Sequence, residues 1–227
     1  DHERLVTVLA SSPSVVDAAR TAGDRWRRDG LAGRPLADLE ARYDERRSLD
    51  VDTRLRSYLR QLRSTGDIAE IILTDVHGIN AVTTGGTSDF VQSDEEWRQR
   101  AMHDGAAATD AAYDSSARVV SISMTSVVRE GADGPALGVL KVVFGLRGID
   151  QELTRLAGES DMRIELLDED GLVVAASSSA PRMRPLEGLQ ALPAAHTTGV
   201  VTLRSAEERE RVAVPATDGG HRRIVAH

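Results

Sequence analysis

Few side chains in this sequence have the chemistry of a catalyst, and those that do are not spaced as catalysts. There is no cysteine, which removes thiolate nucleophiles, thiolate metal sites and disulfides together. The six histidines, His2, His77, His103, His196, His221 and His227, are scattered, and none forms a His-Glu-x-x-His pair or stands beside a second metal ligand at helical spacing. No Gly-x-Ser-x-Gly elbow, Walker loop or dinucleotide glycine motif occurs. Asp75 and Asp168 resemble a pair of acids, but each lies three residues before a glycine (Gly78, Gly171), where an aspartate commonly bonds the turn backbone. No catalytic residue, metal or cofactor is expected.

The remaining chemistry is polar recognition. Between Ser88 and Asp114 the sequence brings together Trp97, Tyr113 and the carboxylates Asp94, Asp110 and Asp114. In the following segment Ser121, Ser123 and Thr125 alternate with apolar residues, so one strand face is small and polar. Lys141, the only lysine, falls in the next apolar segment. Trp97, Tyr113, Asp114, Ser121, Ser123 and Lys141 are the expected lining of a small-molecule site. The indole offers a flat wall that attracts cations, and small hydroxyl residues leave room for a ligand and orient it. Lys141 either neutralises Asp114 or meets an anionic ligand itself. The competing readings are a core tryptophan, a solvated strand face and a lysine reaching solvent.

Three kinds of element must position these residues. Residues 1–64 show helical periodicity, with Ser12-Pro13 as a kink or a new start and an Arg- and Gly-rich interval from Asp24 to Arg34. Val51, Leu55, Tyr58, Leu59 and Leu62 form an apolar stripe opposite Arg54, Arg56, Arg60 and Arg63, which read as a solvated basic face. Ile68 to Thr84 reads as a strand, a turn at Gly78 and a strand. RVVSISMTSVV and ALGVLKVVFGL read as a second antiparallel pair turning between Glu130 and Pro135. Between these pairs, Ser93 and Glu96 have capping-box spacing, predicting a helix from about Asp94 that carries Trp97 and Ala101 on one face and ends at Gly105.

Ile149 to Leu156 predicts a short helix. After it, MRIELLDEDGLVVAAS repeats AEIILTDVHGINAVTT, with Asp168 and Gly171 displaced by 93 residues from Asp75 and Gly78. Two tandem sheet modules are therefore expected. GVVTLRS and RVAVPAT extend the second, in which no counterpart of the Trp97 helix is evident.

Composition bounds the partners. The 227 residues are 41% hydrophobic and 28% charged, enough for one large or two modest cores. A net charge of −8, from 36 acidic and 28 basic residues, makes nucleic acid a poor partner. No run of 18 or more apolar residues is present and no signal peptide is recognisable. The sequence starts within a helical pattern and stops after IVAH, so a fragment of a longer protein is expected.

In this order, an N-terminal helix, an Asp-x-x-Gly hairpin, a helix bearing Asp94-Glu95-Glu96-Trp97, Tyr113-Asp114 before a strand, and Gly138-Val139-Leu140-Lys141 in the last strand resemble a double Cache sensor domain. The resemblance covers nearly the whole chain. It implies an α+β fold, a long N-terminal helix packed along two tandem PAS-like antiparallel-sheet modules. The implied segments are a helical one (1–66), a membrane-distal ligand-binding module (67–148), a connecting helix (149–160) and a smaller membrane-proximal module (161–227). The implied function is extracytoplasmic small-molecule input to a sensor histidine kinase, chemotaxis transducer or diguanylate cyclase, tethered to the cell membrane and lying in the periplasm or outside the cell. Self-association would use the N-terminal helix. The alternatives are a structural dimerisation module and a small hydrolase. Trp97 and Tyr113 match the family's amino-acid-binding pattern and Asp114 lies close to an acidic position. Glu95 replaces its arginine, Arg98 its second aromatic, and Val142 or Val143 its final aspartate. Without that arginine, which would clamp a carboxylate bidentately, an α-amino acid is a poor fit.

Overall fold

The computed structural model describes residues 2–31, 33–42, 48–64, 66–85, 87, 89–108, 112–114, 119–158, 163–167, 172–179, 181–186, 201–204, 210–215 and 223–226. The chain divides into two units. One comprises Asp1–Thr109 and Ile122–Phe144, the other Asp110–Ser121 and Gly145–His227. The fold is α+β.

The helical expectation for the first 64 residues holds, among the described residues as α1 (His2–Ala10), α2 (Pro13–Arg28), α3 (Leu36–Arg42) and α4 (Thr53–Ser64). Pro13 occupies the first turn of α2, where its missing N–H costs nothing, so Ser12-Pro13 is a new start. The basic interval expected to interrupt the pattern is partly helical, because α2 runs through Arg28 and buries Trp26. Asp52 caps α4, its Oδ1 accepting from the Arg54 and Leu55 N–H at 2.8 and 2.9 Å.

On α4 the stripe is only partly covered. Leu55 and Leu59 are buried but Tyr58 is exposed. The opposite face is not simply solvated, since Arg56 pairs with Asp50 at 2.8 Å and Arg63 donates to the Thr84 carbonyl at 2.9 Å.

In the first unit β1 (Ile68–Asp75) and β2 (Asn80–Thr83) form the expected hairpin. Further strands of its sheet are β3 (Ala106–Ala108), β5 (Val119–Arg129) and β6 (Ala136–Gly145), while β4 (Ala112–Asp114) and the first residues of β5 belong to the second unit. Their order is β2-β1-β6-β5-β3, with β4 also pairing β5. The antiparallel register of β1 with β6 sets Ile71 against Val142, Ile72 against Lys141, Leu73 against Leu140 and Thr74 against Val139. Partners in register share a face, so this ladder sorts the sheet. Ile71, Leu73, Leu140 and Val142 make the middle of one face apolar and fully buried, and that face ends at the buried Asp75 opposite Gly138. α2 and α4 pack against β1, and His2 of α1 stacks on Phe144 at 4.2 Å between centroids.

The second unit contains α6 (Arg147–Ala157), β7 (Ile164–Leu167), β8 (Val173–Ala176), β9 (Val201–Arg204), β10 (Glu210–Pro215) and β11 (Arg223–Ala226), with strand order β8-β7-β11-β10-β9. The turn residues Asp168 and Gly171 lie outside the described residues, but the flanking ladder tests the repeat. β1 and β2 pair Leu73 with Val82 and Thr74 with Asn80, with a register shift between the two. β7 and β8 pair Leu166 with Ala175 and Leu167 with Val173, with the same shift. All four positions are displaced by 93 residues, so pairing and bulge both repeat. The returning chain repeats as well: Ile79 bridges Val91, and Leu172 bridges Pro185. Any second-module counterpart of the Trp97 helix falls within 187–200, outside the described residues.

Candidate functional site

α5 (Glu96–Asp104) carries Trp97, and its start corrects the expected capping box. The helix begins two residues later than Asp94, Glu95 holds the N-cap position, and no side-chain cap bond forms. Ser93 is exposed and is drawn instead against Gly78 in the β1–β2 turn. The C-terminal end is as expected: Gly105 has φ 85° and returns its N–H to the Ala101 carbonyl at 2.8 Å. Before the helix, the Glu40 carboxylate of α3 accepts the Phe90 and Val91 N–H groups at 2.8 Å each. Asn80 adds a bond from Nδ2 to the Asp89 carbonyl at 2.7 Å. The approach to α5 is thus tied down by α3, about 50 residues earlier, and by the nearby β2.

Trp97 is 7% exposed and packs with Ala101 and Val139, with Met102 beside them. Val139 lies on the β6 face that also carries Lys141, so α5 covers that side of the sheet. The Lys141 ammonium stands over the indole, 4.7 Å from the ring centroid. Two of the six expected site residues therefore meet: Trp97 packs in the core, and the cation on its ring face is the protein's own Lys141.

The same face extends onto β1 and β2. Glu70, Ile72 and Thr74 oppose Val143, Lys141 and Val139, and Thr83 opposes Ile72. Glu70, Thr74 and Thr83 are buried. A covered sheet face with an acid, two hydroxyls and an ammonium contrasts with the Ile71, Leu73, Leu140 and Val142 stretch of the opposite side, where the buried polar residue is Asp75 in its turn role. These three residues escaped the sequence reading because β1 pairs with β6 across about 70 residues of chain. Within β1 their alternation with Ile71 and Leu73 was visible, but nothing local says which face α5 covers.

The other expected residues are placed less closely. Ser123 is half-buried on β5, in the same unit as Trp97 and Lys141, and Thr125 is buried, so this polar strand face is not solvated. Ser121 is buried but falls in the second unit. Tyr113 and Asp114 also belong to that unit. Their backbone in β4 pairs with Val120 and Val119, and their side chains lie outside the described residues. Asp94 is exposed, and Asp110 lies outside the described residues.

Asp75 takes the turn role. Its Oδ1 accepts the His77 and Ile79 N–H groups at 2.9 Å each, the Asx-turn geometry expected before Gly78. Burial pushes its carboxyl pKa up, against the opposing pull of those two N–H groups, His77 and Arg98. Arg98, which replaces the family aromatic, turns away from Trp97. It is 8% exposed and donates Nη2 to the Val76 carbonyl at 2.6 Å. Burial lowers its pKa, opposed by Asp75.

Among the described residues no three His, Asp or Glu side chains cluster as metal ligands, and no helix is long and apolar enough to cross a membrane. In the second unit Glu165 is fully buried and pairs with Arg184, and Asp150 pairs with Arg182 at 2.9 Å. Arg182 also donates to the Ala176 and Ser178 carbonyls, so it ties α6 to the end of β8.

The fold is that of the ligand-binding sensor domains of histidine kinases and chemoreceptors, as the resemblance to double Cache domains implied. One similar structure is the sensor domain of the V. cholerae histidine kinase DctB, with TM-score 0.59 and 13% identity, covering 99% of this chain and 87% of that one. A second is the ligand-binding domain of the Pseudomonas aeruginosa amino acid chemoreceptor PctC in complex with GABA, with TM-score 0.58 and 14% identity over 100% and 99% of the two chains. The ligand-binding domain of Mlp24 with asparagine matches at TM-score 0.53 and 13% identity, over 95% of each. No family model matches the sequence. No curated protein matches it either.

Proposed function

We propose that this chain is the extracytoplasmic input domain of a membrane-tethered receptor, binds a small polar molecule between α5 and the polar face of the first sheet, and performs no catalysis. The observation that carries this reading is the covered polar face itself, with Lys141 against Trp97 and Glu70, Thr74 and Thr83 on the neighbouring strands. Burying such groups costs free energy that a purely structural sheet avoids with apolar residues, as the Ile71, Leu73, Leu140 and Val142 stretch of the opposite face does. The sensor-domain fold supports the reading, as do neighbours whose structures hold GABA or asparagine. Ser123, in the same unit as Trp97 and Lys141, is assigned to the site. The membrane-distal module is assigned to residues 67–148, joined through a connecting segment (149–160) to the proximal module (161–227).

Binding would act on a receptor only through its difference in affinity between two arrangements of this domain. A thermal-shift screen of carboxylates, amines and amino acids tests the assignment. A site ligand raises the melting temperature with concentration, by about 2.7 kcal/mol of stabilisation at a hundredfold excess over Kd. Trp97→Ala and Ser123→Val should each abolish that rise in a protein that still folds. A ligand whose shift survives both changes binds elsewhere, and the site assignment then fails.

A structural dimerisation module is the second reading. It draws on Tyr58, 54% exposed on α4, and predicts a dimer that Tyr58→Glu dissociates in sedimentation experiments, with no response to any ligand.

A further inference from the structure

We propose that Arg98 is the positioning residue of the candidate site, and that through the Asp75–Ile79 turn it couples the Trp97 helix to α2. This deepens the ligand-binding reading above and rests on it for its purpose, though not for its test.

Trp97 and Arg98 are consecutive on α5 and serve different partners. Trp97 lies against Val139 and Lys141, whereas the Arg98 guanidinium is buried against the β1–β2 turn, bonded to the Val76 carbonyl. The chain leading into α5 grips the same turn a second time. Gln92 donates its N–H to the Gly78 carbonyl at 2.7 Å, and Ser93 comes so close that a Cβ on Gly78 would lie 2.8 Å from its backbone. The turn is stiffened from within by the two bonds to Asp75 Oδ1. On its other side the His77 ring stacks on Trp26 near the C-terminal end of α2, 5.5 Å between centroids and 25° between planes. A displacement of α5 that moves Trp97 therefore moves Arg98, and a stiff five-residue turn carries the movement to Trp26.

The junction is also underbonded. Asp75 Oδ2 and Arg98 Nε are buried without a hydrogen-bond partner among the described residues, although the two charges attract each other. Buried groups left unpaired raise the free energy of an arrangement, so one in which α5 moves and Arg98 engages the Asp75 carboxylate lies within reach of a ligand's binding free energy.

The protein has two tryptophans, Trp26 and Trp97, so each can report alone. In a Trp97→Phe background, Arg98→Met should roughly double the acrylamide quenching of Trp26 by loosening the turn, and Arg98→Lys, which can still donate to the Val76 carbonyl, should restore most of the protection. Coupling is reciprocal, so in a Trp26→Phe background His77→Ala should alter Trp97 quenching to a similar extent. If Arg98→Met fails to fold, the second arm decides. An unchanged reporter in any folded variant overturns the coupling, as does a Lys replacement no better than Met. Neither arm uses a ligand, so failure here leaves the binding assignment standing, and a negative ligand screen leaves the coupling standing.

Discussion

Lys141 and Trp97, 44 residues apart in sequence, meet face on: the ammonium sits 4.7 Å from the indole centroid, on the side of the first sheet to which β1 and β2 contribute the buried Glu70, Thr74 and Thr83. Lys141 is half-buried, so the ring offsets part of the hydration that the ammonium gives up. A double-mutant cycle with Trp97→Leu and Lys141→Met, read by chemical denaturation, should give a coupling of about 0.5–2 kcal/mol. Trp97→Ala alone should cost about 3–5 kcal/mol, since the indole is packed against Ala101 and Val139. A coupling near zero would mean that the ammonium is held by its other neighbours.

Two glycines with similar backbones should respond differently to alanine. Gly78 has φ 88° and Gly131 has φ 77°, so both substitutions strain the left-handed conformation by about 1–2 kcal/mol. Only at Gly78 would the new Cβ meet backbone, 2.8 Å from Ser93 N and Cα, whereas nothing lies within 4 Å at Gly131. Gly78→Ala should therefore lower the melting temperature clearly further than Gly131→Ala. It should also raise hydrogen exchange at Gln92, whose N–H bonds the Gly78 carbonyl. Equal losses would show that the Gln92–Ser93 stretch does not press on the turn.

Asp75 predicts a pH dependence whose sign follows from burial. Its folded-state pKa is raised, so the folded state holds the proton more tightly than the unfolded one. The stabilisation from that proton is fully present below the unfolded value, near 3.9, and is lost as pH rises through the higher folded value. Asp75→Asn keeps an oxygen for the His77 and Ile79 N–H groups but cannot ionise. Relative to wild type it should gain stability as pH rises from about 4 to 7. Urea denaturation of both proteins across that range checks this. A wild-type curve parallel to that of the Asn variant would mean that Asp75 titrates normally.

The hairpin repeat was legible because it is written locally: alternation, an aspartate and a glycine recur at an interval of 93, and ladder and bulge recur with them. The lid helix was legible in its body and C-terminal end, where Trp97, Ala101 and Gly105 carry the signal. Its start was not. Ser93 had the right spacing for a cap but is held against Gly78, a contact between segments with no trace in the spacing of either. Of the proposed site, Trp97, Lys141 and the small residues of β5 stood out in the sequence, whereas Glu70, Thr74 and Thr83 read only as alternate positions of a strand. Arg98 registered as a departure from a pattern, and its bond to the Val76 carbonyl gives that departure a physical role.

Short-range rules were enough to set the α+β class, the repeated hairpins, the turn role of Asp75, and the absence of thiol chemistry, because propensity, periodicity and turn chemistry act over a few residues. The tertiary structure decided which face of the first sheet α5 covers. That depends on β1 pairing with β6 rather than on either strand alone, and a one-residue change of register would have turned Lys141 away from Trp97. It also decided that α2 continues through the basic interval to Arg28, because Trp26 is buried there by contacts formed only on folding.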